Sequence, residues 1–521
     1  MRPIKIIILF VLLSILSFTS SVYSTDIASI LQKSVGGEKA VETIKSLESI
    51  YMSGDIDMNG TIGTFEYKFR FPQRYLLTLT FQNFSIIQGY DGSVAWQKDI
   101  SGQKTELTGP EKKAILQTVY LNSFSFLFDD SLKNKKSLGR SYLGGNVYEQ
   151  LIFFPFDNDT LNIYFDAITG YRKITKSKQD FFETVSYDSL YRKINNINVP
   201  FYSKSVVQQM NFSFSQSVDT IIFDKTFPDS IFLFQKRSDS NYRFPATEKI
   251  TLNFEFHNNH IFLPVTISGT KKVYMLLDSG AGASIIKTST VNELHFDTVG
   301  TIPAVGVSGS EETKLYRTDS LRIGELKLYN QRVGSLQLQN IMKNKINKVE
   351  FGGILGNDFL SQFPVLVDYQ NKELTIFNPK HYKAPKGGNS INFEYYMLIP
   401  TIEAKVASQK CKLIIDLGNA FGLILHPHFI QSQNIEQKLK DKVEINQLMG
   451  GIGGAVKGFQ AVVDSVQLGN QILIDEKVSL PQSSQGLSGS KEIGGNIGNA
   501  LLKRYKVLLD YPNNMIILFD Y

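Results

Sequence analysis

The segment GGILGNDFLSQFPVLVDYQNKELTIFN at 352–378 returns as GGNIGNALLKRYKVLLDYPNNMIILFD at 494–520, with 11 of 27 positions identical and no gap. The match extends backwards. TDSLRIGELKLYNQRVGSL at 318–336 corresponds to VDSVQLGNQILIDEKVSL at 463–480, and FLPVTISGTKKVYMLLDSGAG at 262–282 to LIPTIEAKVASQKCKLIIDLGNA at 398–420. The offset grows from 136 (Pro264 and Pro400) to 138 (Asp278 and Asp416) to 142 (Gly356 and Gly498), a drift that small loop insertions absorb. Two copies of a unit of about 130 residues imply a paired two-lobe body rather than a solenoid.

Each copy drives an apolar strand straight into a carboxylate, VYMLLDSG ending at Gly280 and CKLIIDLG ending at Gly418. Burying a carboxylate at a strand end is costly without a partner or a purpose. Two related units that each deliver one carboxylate to a pseudo-twofold axis supply both. Held close together, the two groups cannot both ionise comfortably, so they share one proton and their apparent pKa values split. The ionised member can then take a proton from a trapped water while the protonated member polarises a scissile carbonyl. Such chemistry needs no metal and no cofactor.

The stretch VYMLLDSGAGAS at 273–284, with Ile354-Leu355-Gly356 further on, resembles the retropepsin-type aspartic protease family, here in a tandem single-chain form. The resemblance covers about 260 residues. It implies that Asp278 and Asp416 are catalytic, that Ser279 braces the opposite loop, and that Gly280 and Gly418 let the backbone turn tightly beneath the dyad. It also implies flap hairpins, for which GVSGSEETKL (Gly306, Gly309) and GGIGGAVKGF (Gly453, Gly454) are placed. The second copy departs from the pattern. Leu417 stands where Ser or Thr is expected and cannot make the bracing hydrogen bond, and Asn496-Ile497-Gly498 replaces the apolar-apolar-Gly strand. Three outcomes follow from that departure: an asymmetric active protease, an inactive peptide-binding descendant, or a chain that dimerises so that two DSG copies meet.

Upstream, the sequence differs in kind. MRPIKIIILFVLLSILSFTSSVYST carries Arg2 and Lys5, an apolar run from Ile6 to Leu16, and Val22 and Ser24 at cleavage-site positions, the pattern of a secretory signal peptide. The segment around 26–48 has helical spacing interrupted at Gly36-Gly37, and FEYKFRF at 65–71 begins a long region of strand alternation that reaches about 234. GGEKAVETIKSLESI, FRFPQRYLLTLTF and GYDGSVAWQ are similar to the bacterial lipoprotein-carrier (LolA/LolB-type) family, which implies a curved antiparallel sheet around a helix and a lipid or lipopeptide as its ligand. A packed accessory sheet that presents the next domain is an equal reading of those patterns.

Other motifs carry less. The net charge of +6 is spread along the chain, and its densest cluster, KNKK at 133–136, reads as a solvated loop, which argues against a nucleic-acid partner. Cys411, the single cysteine, cannot form an intrachain disulfide and is expected as a buried strand residue. His257 with His260, and His426 with His428, have spacings that could bind metal, but no HExxH or cysteine cluster supports them and they read as solvated turn residues. GVSGS at 306–310 does not fit a nucleophile elbow. Asp319-Ser320 and Asp464-Ser465 read as caps before a strand, and Asp368 and Asp510 as turn-forming acids.

The expectation is a mainly β protein: a signal peptide at 1–24, a curved antiparallel sheet with a helix at 25–234, a linker at 235–249, and retropepsin-like lobes at 250–382 and 383–521. Its expected function is that of an exported, periplasmic or extracellular, monomeric endopeptidase acting on polypeptides. The alternative is an inactive peptide- or lipopeptide-binding envelope protein.

Overall fold

The computed structural model describes residues 26–99, 102, 104–128, 134–156, 159–210, 212–234, 241–306, 310–338, 345–451, 454–482 and 484–521. The leader at 1–24, Gly309, Gly453 and part of the linker lie outside the described residues. The fold is mainly β, as expected.

Residues 49–223 supply one thirteen-stranded sheet in which every pairing is antiparallel. Its first strand, Ser49–Met58, pairs with its last, Phe212–Phe223, so two meanders run outward from the middle. Alternation puts Phe65, Tyr67 and Phe69 on the buried face. That face shares a core with Ile30, Leu31, Val35, Ala40 and Ile44 of two short helices, Ile27–Val35 and Glu38–Ser46. The break between those helices falls at Gly36-Gly37, where Gly36 takes φ +121, a conformation that favours glycine.

A further helix, Gly109–Asn122, was not expected. It has no clean apolar stripe because it is covered on more than one side. Ile115 and Val119 enter the core of the sheet, the buried Gln117 accepts from Ser177 Oγ at 2.7 Å, and Lys113 pairs with Glu492 of the C-terminal half at 2.6 Å. Glu111, half-buried at this seam with one carboxyl oxygen enclosed, is pushed up to about 7 by desolvation, against hydrogen bonds from its own N–H and that of Met397.

The two halves meet elsewhere through specific contacts. Asp180 accepts from Ser490 Oγ and from the Lys491 N–H, both at 2.6 Å, and from the Tyr396 hydroxyl. Thr108 Oγ1 donates to the Tyr395 carbonyl at 2.7 Å, and Asn59 Nδ2 to Glu312 at 2.9 Å. Val299 and Leu315 belong to the same hydrophobic core as Phe84 and Ile115 of the N-terminal half.

The C-terminal half repeats one set of pairings. In the first copy, Lys271–Leu277 runs parallel to Val349–Leu355, while Ile285–Lys287 is antiparallel to the same strand and parallel to Leu326–Leu336. In the second, Gln409–Ile415 is parallel to Ile493–Ile497, and Leu423–Leu425 is antiparallel to that strand and parallel to Gln471–Pro481. The seam between copies is itself a sheet: Val365–Asp368 pairs antiparallel with Lys506–Asp510, and Lys506 reaches Asp368 at 2.7 Å. Asp368 accepts from Asn371 and Asp510 from Asn513, so both are turn-forming acids, as expected. Asp319 and Ser320, by contrast, lie within the strand Ser310–Ile323 rather than before one, and Asp464 and Ser465 lie within Gly454–Leu468.

Candidate active site

Each aspartate follows a strand locked into its lobe in the same way. Asp278 N–H donates to the Leu355 carbonyl at 3.0 Å and Asp416 N–H to the Ile497 carbonyl at 2.9 Å. Both strands therefore end at the axis between the lobes, where each carboxyl lies against the glycine of the opposite loop and close enough for its charge to act on the other. Burial pushes the Asp278 carboxyl well above the usual range, and the charge of Asp416 adds to the rise. Asp416 is also raised by burial, against hydrogen bonds led by that from Asn496.

The glycines after the aspartates work by space rather than by backbone freedom. The backbone turns at both, with the Ala281 N–H donating to the Asp278 carbonyl at 3.3 Å and the Asn419 N–H to the Asp416 carbonyl at 3.1 Å, but neither Gly280 nor Gly418 has positive φ. A Cβ on Gly280 would stand 2.5 Å from Asp416 Oδ1, and one on Gly418 would stand 2.4 Å from Asp278 Cγ. Each glycine lets the opposite carboxyl approach, and each N–H donates to its own aspartate, at 2.8 Å for Gly280 and 3.0 Å for Gly418.

Ser279 is fully buried and braces the other loop alone. Its Oγ donates to the Ile415 carbonyl at 2.7 Å and accepts the Leu417 N–H at 2.9 Å. Leu417 returns no such bond; its side chain is buried in the core, and its carbonyl accepts from Asn499 Nδ2 at 2.6 Å. Asn499 also donates to the Asn259 carbonyl at 2.7 Å and accepts from the Tyr369 hydroxyl at 2.7 Å. At the mirror positions, the buried Tyr511 hydroxyl and Asn357 Oδ1 have no hydrogen-bond partner among the described residues.

Two histidines read as solvated turn residues are neither. His260 donates through Nε2 to the Gly418 carbonyl at 3.1 Å, beneath the Asp416 loop, and desolvation holds its pKa below the ordinary value. His426 is fully buried, and its Nε2 lies 2.9 Å from Asn496 Oδ1, while Asn496 Nδ2 donates to Asp416 Oδ2 at 3.0 Å. Asn496 registered in the sequence only as a departure from an apolar pattern, and the break in that pattern was the signal that could have found it. In the first lobe, Ser284 Oγ donates to the buried Asp358 at 2.6 Å and accepts the Gly356 N–H at 3.0 Å. Burial pushes Asp358 up to about 6.

Both flap candidates are hairpins. Thr298–Val305 pairs with Ser310–Ile323, and Gly306 follows the first of these strands with its carbonyl accepting the Leu487 N–H of the second lobe at 3.1 Å. Lys440–Gly451 pairs with Gly454–Leu468, where Gly454 stands opposite Gly451.

Residues 263–359 match the family model described as aspartyl protease. The matched segment contains Asp278 and ends before Asp416. The chain is also similar to the crystal structure of an aspartic proteinase from Irpex lacteus, at 12% identity and TM-score 0.36, over 52% of this chain and 97% of that one. A DUF1329 family protein from Desulfovibrio piger matches at 11% identity and TM-score 0.28, over 40% of this chain and 95% of its own. No curated protein matches. The protease-like half thus combines a matched first lobe with a second lobe that repeats its strand pairings.

Proposed function

We propose that the chain is an exported, monomeric aspartic endopeptidase in which the two lobes form one catalytic body. The observation that carries this reading is the meeting of Asp278 and Asp416 at one axis, with each carboxyl seated against the glycine of the opposite loop. Neither lobe alone holds such a pair. At a pH where the pair keeps one proton, the ionised carboxylate accepts a proton from water as its oxygen attacks the scissile carbonyl. The protonated partner gives its proton to the carbonyl oxygen. The resulting diol collapses as the carboxyl that took the water's proton passes it to the amide nitrogen, the C–N bond breaks, and the other carboxylate takes the proton of one diol hydroxyl, so the pair ends with its single proton where it began.

Leu417 speaks for the competing reading, an inactive peptide binder, but Ser279 supplies both hydrogen bonds of the brace on that side. For the N-terminal sheet we propose a lipid or lipopeptide ligand, supported by a cavity of about 1020 Å³ lined by Phe71, Tyr120, Phe128, Lys45, Arg70 and Lys225. The deciding experiment incubates the wild type and Asp278→Asn with an unfolded polypeptide across roughly pH 3–8. Cleavage by the wild type, lost in a folded Asp278→Asn, is expected. A wild type inert throughout that range refutes the protease reading.

A further inference from the structure

We propose that His426 and Asn496 are positioning residues that fix the roles of the two aspartates, making Asp416 the ionised member and Asp278 the proton carrier. The inference rests on the dyad reading given above.

The chemistry of the chain of contacts sets its direction. An ionised carboxylate only accepts hydrogen bonds, so the Asn496 group 3.0 Å from Asp416 Oδ2 must be the NH2. That leaves Asn496 Oδ1 facing His426 at 2.9 Å, and an amide oxygen only accepts, so His426 must present Nε2–H. His426 Nε2–H therefore holds the Asn496 amide in the one orientation that donates to Asp416. Burial keeps the imidazole neutral, with its pKa held down to about 4, and both its neutral Nε2–H tautomer and its cation present the same donor. The relay accordingly does not switch off as pH changes.

The first lobe has no equivalent. Ile354 stands where Asn496 stands in the repeat, and Lys287, which precedes the helix Thr288–Glu293 as His426 precedes Pro427–Ser432, stands where His426 stands, so Asp278 receives no such side-chain amide. Asp278 has the Gly280 N–H at 2.8 Å and is also lowered by the Gly418 N–H, whereas Asp416 has the Gly418 N–H at 3.0 Å and the Asn496 side-chain amide, a donor that Asp278 lacks. Hydrogen bonds to the charged form favour it, and a charged acceptor roughly doubles the strength of the bond. The other groups facing the pair do not reverse this bias. Tyr511, buried with its own pKa raised, faces both carboxyls; Asp180 acts on His426; and the Asn419 N–H adds to the donors on Asp416.

The test follows the carboxyl 13C signals of Asp278 and Asp416 in full-length protein against pH, with each signal assigned by its loss in the corresponding Asp→Asn variant. This readout does not require turnover, so it stands apart from the test of protease activity. In the wild type the Asp416 signal is expected to move to its ionised position first. Asn496→Leu should raise the Asp416 transition by about one pH unit or more, the scale of one charge-assisted hydrogen bond. His426→Leu should produce a smaller rise in the same direction, and His426→Gln, which keeps an N–H donor, should restore part of it. Where the enzyme turns over, the acidic limb of its pH–rate profile should shift with the same order of variants. Asp278 ionising first in the wild type overturns the proposal even if neither the Asn496 nor the His426 variants fold. An Asp416 transition unmoved in a folded Asn496→Leu overturns it equally.

Discussion

Replacing Ser279 with Ala tests whether a one-sided brace carries the join between the two active loops. The hydroxyl satisfies two buried backbone groups of the other lobe, the Ile415 carbonyl at 2.7 Å and the Leu417 N–H at 2.9 Å. Removing it leaves both without their partner in a site closed to water, because Ser279 and Leu417 are fully buried. Each stranded group costs about 1–3 kcal/mol, so the substitution should destabilise the body by roughly 2–5 kcal/mol. For a cooperative unit of this size that corresponds to a fall in thermal midpoint of roughly 2–4 °C per kcal/mol. Ser279→Thr keeps the hydroxyl and should recover most of the loss. Differential scanning calorimetry of the three proteins gives the comparison. A Ser279→Ala midpoint within about 1 °C of the wild type would show that the loops are held by their strands alone and that the brace is incidental.

Gly418→Ala should abolish peptide hydrolysis with both aspartates intact, since the new methyl would stand 2.4 Å from Asp278 Cγ; Gly422→Ala, whose nearest neighbour is 3.8 Å away, should leave activity near wild type, and equal rates for the two variants in a cleavage assay would refute the close-approach argument. Asp358 is raised by burial to about 6, against about 3.9 in an unfolded chain, so between these values the native state keeps a proton that the unfolded state has lost. Stability should therefore fall as pH rises from about 4 to about 6 and level off above, a change of roughly 3 kcal/mol for this group, and Asp358→Asn should remove that part of the slope. Thermal midpoints of both proteins across that window decide it, and parallel curves count against the assignment.

Much of the plan of the protease-like half was legible because duplication prints its topology twice. The strand that ends at Asp278 and the one that ends at Asp416 were visible as apolar runs, and the later Gly356 and Gly498 segments fixed the strands they pair with. What escaped were residues whose roles depend on contacts distant in the chain. Asn496 lies 80 residues from Asp416, and His426 acts through Asn496, so neither periodicity nor local motif could join them. The helix Gly109–Asn122 escaped for a related reason: it is covered by both the N-terminal sheet and the C-terminal half, which erases the one-sided apolar stripe that marks a surface helix. At Gly280 and Gly418 the turn was legible, but the close approach of the opposite carboxyl was not, because sequence shows a missing side chain without showing what occupies its place.

The root of the first flap hairpin is anchored in the other half of the molecule, where Val299 and Leu315 share a core with Phe84 and Ile115. Extracting a buried aliphatic side chain of that kind costs about 1.5–3 kcal/mol, so the hairpin cannot swing as a rigid arm from its base. The N-terminal half thus serves as a fixed post for the base of this hairpin. Cutting the chain at the junction would leave these aliphatic groups facing water, and the severed protease-like half would gain a sticky flank at that base.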